Sequence, residues 1–171
     1  MRMFIASPVK LTREIEDIIK VLSGNKNLRV TEPNNFHLTY LFLGDVNIME
    51  SNRITSEMKN ISGKKFGAKI SGITAFPDIY HPKVIALVLE SQFFEVLYNS
   101  ILKRLPEYKN SNRGFLPHIT IARVRNRGTM PWISHMVIQN ETLGIDRICL
   151  FKSTLTREGP IYESIYCNEF H

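Results

Sequence analysis

Phe36-His37-Leu38-Thr39-Tyr40 and Pro117-His118-Ile119-Thr120-Ile121 are two spellings of one phrase, set almost half a chain apart in a sequence of 171 residues. In each copy an apolar residue separates His from Thr. Strand-forming residues follow both: Tyr40-Leu41-Phe42-Leu43 after the first, Ile121-Ala122-Arg123-Val124 after the second. Residues i and i+2 of an extended strand share a side, so each copy presents an imidazole and a hydroxyl on one face. Two such strands brought side by side make one cleft with two proton carriers and two neutral hydrogen-bond donors, a set suited to moving protons on and off a phosphate ester. One His-x-Thr carries little information; its repetition in matching surroundings carries more.

Working outward, residues 2–6 read as a first strand. Thr12 is expected to cap a helix with Ile15, Ile18, Ile19 and Leu22 inward, stopped by Gly24. Residues 28–32 read as a short edge strand ended by Pro33-Asn34-Asn35. The first motif strand spans about 36–43, and a polar helix covers 48–60. Residues 66–76 alternate as a strand in which Gly67 and Gly72 mark a weak point or bulge. An apolar run at 84–89 suits a buried strand, and 93–105 a helix with Phe94, Leu97, Ile101 and Leu105 on its apolar face. A basic loop from 106 to 114 feeds the second motif strand, and a faint short helix follows at 132–137. Two tail strands, 145–155 and 161–170, join in a hairpin at Arg157-Glu158-Gly159-Pro160. Hairpins mixed with isolated helices argue for α+β. The two distant phrases suggest one domain over residues 1–171 with an internal duplication: two pseudo-symmetric lobes of antiparallel sheet plus helices flanking a central cleft.

A chain of this length buries a core without staples. Its 22 Lys and Arg against 16 Asp and Glu leave a formal charge of +6, which favours a polyanion such as RNA over a cationic ligand or a membrane. Cys149 and Cys167 form no CxxC pair, so finger-type zinc is not expected, and both read as buried free thiols of a reducing cytosol. The N-terminal apolar run is too short for a signal peptide, and no run reaches the ~20 residues of a membrane span. A cytoplasmic location is expected.

With these residues in place the chain resembles the 2H phosphoesterase superfamily, and within it the RNA 2′,3′-cyclic phosphodiesterase branch, also called the 2′-5′ RNA ligase (LigT/ThpR-like) family. The opening Met1-Arg2-Met3-Phe4-Ile5-Ala6 carries the resemblance, as do Phe42-Leu43-Gly44-Asp45-Val46 after the first motif and Ala122-Arg123-Val124 after the second. Ser153-Thr154-Leu155-Thr156 with Gly159-Pro160-Ile161-Tyr162 extends it to the closing hairpin. Where many members carry a basic residue two positions after the first threonine, this chain has Leu41, and that contact is not carried over.

The resemblance implies hydrolysis of RNA 2′,3′-cyclic phosphate ends to 2′-phosphates without metal or cofactor, reversible as 2′-5′ ligation. It assigns His37 as proton donor, His118 as proton acceptor, and Thr39, Thr120 and Arg123 as phosphate-binding residues. Strict alternation points Arg123 away from His118, so a bulge or the strand's end has to turn it inward. The implied partner is an RNA terminus, a tRNA fragment among others, or a cyclic nucleotide, acted on by a monomer. Two other readings stay open: a module that binds RNA ends or nucleotides without turnover, and a 2H enzyme for another substrate such as 2′-5′ oligonucleotides. Lys103, Arg104, Lys109, Arg113, Arg125 and Arg127 either flank the cleft or form a solvated face. Phe36, Tyr40 and Phe115 read as core residues before base-stacking ones, His81 as a surface residue, and His135 and His171 have no assigned role.

Overall fold

Both His-x-Thr segments are strands, and they meet. In the computed structural model, which describes residues 1–109, 114–138, 140–157 and 159–171, Leu38 pairs with Ile119 across an antiparallel junction. The elements run β1 (Arg2–Pro8), α1 (Arg13–Ser23), β2 (Leu28–Val30), β3 (His37–Asp45), α2 (Ile48–Met58), β4 (Phe66–Phe76) and β5 (Val84–Glu90). They continue with α3 (Gln92–Arg104), β6 (His118–Val124), β7 (Thr142–Ile145), β8 (Arg147–Thr156) and β9 (Gly159–Glu169).

The strands form one antiparallel sheet in the order β7-β4-β5-β6-β3-β1-β8-β9, with β2 beside β6. The β6–β3 junction divides this order into four strands on each side, and each motif strand lies beside the strand that precedes its helix: β1-α1 before β3, β5-α3 before β6. This is the α+β architecture with a cleft between lobes that the sequence led us to expect, with the two lobes continuous through a single sheet.

One face of the sheet carries the core. Ile15 and Leu22 of α1, Ile54 and Met58 of α2, and Phe94, Leu97 and Ile101 of α3 are buried in one cluster with Met3, Ile5, Leu38, Tyr40 and Leu41. Each large aliphatic side chain removed from water there contributes about 1.5–3 kcal/mol relative to exposure. Asn47 caps α2 by accepting from the Glu50 amide at 2.9 Å. Thr12 sits at the N-cap of α1 as expected, yet its hydroxyl makes no capping bond and is buried without a hydrogen-bond partner.

The other face holds the cleft, and strand irregularities decide what enters it. Along β1, Ile5 pairs with Leu41 and Ala6 with Thr39, so Tyr40 is an extra residue in β3. Along β5, Ile85 pairs with Ala122 and Ala86 with Thr120, so Ile121 is an extra residue in β6. Both motif strands therefore bulge at the same place, three residues after the histidine. The consequence is two consecutive buried residues, Tyr40-Leu41 in one and Ile121-Ala122 in the other, after which alternation resumes with reversed sense.

Three expectations need correction. Cys149 and Cys167 are not free thiols: they face each other across β8 and β9 and form a disulfide, with Cα atoms 4.1 Å apart. The register explains the miss. Leu150 pairs with Tyr166 but Phe151 with Ser164, so an extra residue, Ile165, shifts Cys167 opposite Cys149. The tail contains three strands, because β7 separates from β8 and pairs with β4. The short helix near 132–137 is a 3-10 turn at Pro131–His135.

Candidate active site

Each motif histidine sits at the first position of its strand, and its ring reaches back to the carbonyl two residues earlier. The Nδ1–H of His37 donates to the Asn35 carbonyl at 2.6 Å, and the Nδ1–H of His118 to the Leu116 carbonyl at 2.7 Å. A carbonyl oxygen only accepts, so each bond places the hydrogen of the neutral ring on Nδ1. Both rings thus keep Nε2 for a ligand, in the same tautomer. His37, Thr39, His118 and Thr120 all line one cavity of 730 Å³.

His37 is the more enclosed ring. Phe4 lies 5.0 Å from it between centroids and Tyr162 meets it edge-on at 5.0 Å, with Phe151 behind at 6.4 Å. His118 packs against Phe76 at 5.2 Å. Burial holds the His37 imidazole below its ordinary value of 6.5; the bond to Asn35 pulls the other way, and the positive fields of Arg123 and His118 add to the lowering.

The bulge at Ile121 lets Arg123 line the same cavity although it is an odd number of residues from His118. The matching position of β3 is Phe42, which the equivalent bulge turns toward the cleft and leaves 76% exposed. Sequence reading did not single out Phe42, Tyr162, Arg2 or Arg29, all of which line the cavity. The matching offset of Phe42 from His37 was the available signal for the first; Arg29 gave none, since β2 is only three residues long.

Other candidates lie elsewhere. Phe36 and Tyr40 are buried core residues, the Tyr40 hydroxyl 3.0 Å from Ser7 Oγ, and Phe115 stacks on Tyr98. Leu41 is buried away from the cleft. Lys103, Arg104, Lys109, Arg125 and Arg127 are exposed but do not line the cavity, and Arg104 pairs with Glu57 of α2. Lys103 and Arg104 are on α3, Lys109 follows the turn after it, and Arg125 and Arg127 lie past the end of β6, so among the described residues the cations lining the cavity are Arg2, Arg29 and Arg123. Arg113 lies outside the described residues. His81 is exposed and pairs with Asp78, and His135 and His171 are also exposed. Among the described residues no three His, Cys, Asp or Glu side chains cluster as metal ligands would. No helix of the described residues is long and apolar enough to cross a membrane.

Comparisons with known proteins agree with this fold. A family model described as LigT like phosphoesterase matches residues 5–86. A protein of Archaeoglobus fulgidus named RNA 2′,3′-cyclic phosphodiesterase is 30% identical, the match covering 96% of this chain and 98% of that one. A protein of Aquifex aeolicus with the same name is 28% identical over 88% of each. A solved structure from Thermus thermophilus has a TM-score of 0.82 at 23% identity, covering 99% of this chain and 97% of that one. Escherichia coli LigT complexed with 3′-AMP has a TM-score of 0.77 at 21% identity over the same shares. At those identities the structures speak for the fold alone. The sequence relationship, running nearly end to end at 30%, makes this chain a member of the LigT-like phosphoesterases of the 2H superfamily.

Proposed function

We propose that the protein hydrolyses the 2′,3′-cyclic phosphate at an RNA end to a 2′-phosphate by general acid–base catalysis between His37 and His118. The observation that carries this reading is the matched pair of imidazoles, each with Nδ1 tied to a backbone carbonyl and each lining one cavity with a threonine two residues on. The names of the curated relatives supply the substrate class.

In the reaction a water attacks phosphorus in line as the ribose O3′ leaves. His118 takes the water's proton, and His37, protonated at Nε2, delivers a proton to O3′. Thr39 and Thr120 donate their hydroxyls to the non-bridging oxygens, bonds that strengthen as charge builds in the pentacoordinate transition state, and Arg123 offsets that charge. With a 5′-hydroxyl in place of water the same step joins a cyclic-phosphate end through a 2′-5′ bond, His118 taking the hydroxyl proton and His37 protonating the departing O3′; cleavage of that bond is the reverse, with the histidine roles exchanged. The step uses no metal. A monomer suffices, because both motifs come from one chain, and tRNA fragments with cyclic ends are suitable substrates. The reading puts the enzyme in the cytoplasm. The Cys149–Cys167 bond removes the free thiols as support for that location, and thiol counting on the protein purified under alkylating conditions tests whether the bond forms in the cell.

The test is hydrolysis of a 2′,3′-cyclic nucleotide in excess chelator. Full turnover is expected, with a bell-shaped pH profile, a 2′-phosphate product and a loss of ~10²-fold or more in kcat for His37→Ala and for His118→Ala. Unchanged turnover in either variant removes the assignment.

A further inference from the structure

β2 pairs only with β6, and it sets Arg29 directly opposite Arg123. Directly opposed residues of an antiparallel pair share a face with Cβ atoms about 5 Å apart, and like charges there repel. Both arginines line the cavity and both are exposed. Among the described residues neither lies within ion-pair distance of a carboxylate; Glu32, also in the lining, pairs with neither.

The Arg29 side chain reaches across to β9. Gly159, at the start of β9, has φ +124°, and a Cβ added there would lie 2.6 Å from Arg29 Nη2 and 2.9 Å from Cζ. The guanidinium therefore rests against the glycine backbone, in space that exists because no side chain fills it. A cation beside a second cation, with no carboxylate paired to it among the described residues, favours an anionic ligand.

Arg123 shares strand β6 with His118, whereas Arg29 is on β2, outside both motif strands. Arg29 lies one strand further out, a step of about 4.8 Å. The terminal nucleoside of an RNA carries its cyclic phosphate on O2′ and O3′ and, when the chain continues, a phosphodiester on O5′. We propose that Arg29 holds that O5′ phosphodiester, so that an oligonucleotide end is preferred over a free cyclic mononucleotide. The inference rests on the hydrolytic reading given above.

The experiment compares 2′,3′-cyclic AMP with the dinucleotide ApA bearing the same cyclic end, for the wild type, Arg29→Gln and Arg29→Lys. The wild type is expected to favour the dinucleotide by ~10-fold or more in kcat/KM, mainly through KM. Arg29→Gln reduces that ratio to within about twofold, and Arg29→Lys keeps part of it. A dinucleotide with an uncharged methylphosphonate linkage behaves in the wild type as the mononucleotide does. A ratio unchanged in Arg29→Gln, or equal losses on both substrates, overturns the proposal. Should the wild type turn over neither substrate, the hydrolytic reading fails on its own. Binding of ApA with a 2′-phosphate end then decides: its affinity falls ~10-fold in Arg29→Gln, with no such loss for adenosine 2′-phosphate, if the contact exists, and is unchanged if it does not.

Discussion

At the residue scale the enclosed imidazole sets a signed expectation. The folded value of His37 lies below 6.5, while the unfolded chain titrates near the ordinary value of about 6.5. As pH falls from about 6.5 through the folded value, the unfolded state takes up this proton first, so stability from this group is complete above that window and is lost within it. His37→Asn is expected to flatten that part of the stability–pH curve. Arg123 contributes to the lowering, so Arg123→Gln should raise the His37 titration midpoint toward 6.5. Imidazole NMR of both proteins checks this; a midpoint at or above 6.5 in the parent, or one unmoved by the substitution, contradicts it. Such residues were legible because His and Thr two apart must share a strand face. Arg123 was legible only by allowing for a bulge, and Arg29 not at all, since its neighbour in space lies far along the chain.

At the scale of elements, the bulges separate what could be read from what could not. Simple alternation placed His37 with Thr39 and His118 with Thr120 correctly, because each pair precedes its extra residue. Beyond Tyr40 and Ile121 the rule reverses, and that reversal brings Phe42 to the cleft. The disulfide escaped for the same reason, since Ile165 moves Cys167 by one register step. The β8–β9 turn carries its own prediction. Gly159→Ala asks a side chain to take φ +124° and to occupy the Arg29 guanidinium's place, which should cost about 1–3 kcal/mol. Gly72 is the control: a Cβ built there meets nothing within 4 Å, so Gly72→Ala should stay within about 0.5 kcal/mol. Urea unfolding of both variants checks the contrast, and equal effects would contradict it.

At the scale of the molecule, the two halves are joined in the sheet at Leu38 and Ile119, both fully buried. Leu38→Ala should cost about 2–5 kcal/mol, as core truncations do. It should also lower kcat on a cyclic nucleotide, because the residue sits between His37 and Thr39 at the point where the halves meet. Denaturation and steady-state kinetics together check this; a stability loss with kcat intact would mean that the junction does not set the spacing of the catalytic groups. The two strands are twins at His, Thr and bulge, but five places after the histidine one offers a ring and the other a cation. A nucleotide turned end for end would find the same acid–base pair with its base against a guanidinium and its phosphate against a phenyl group. On the function proposed above, polarity along the RNA would be set by Phe42 and Arg123, where the twinning breaks, and not by the histidines.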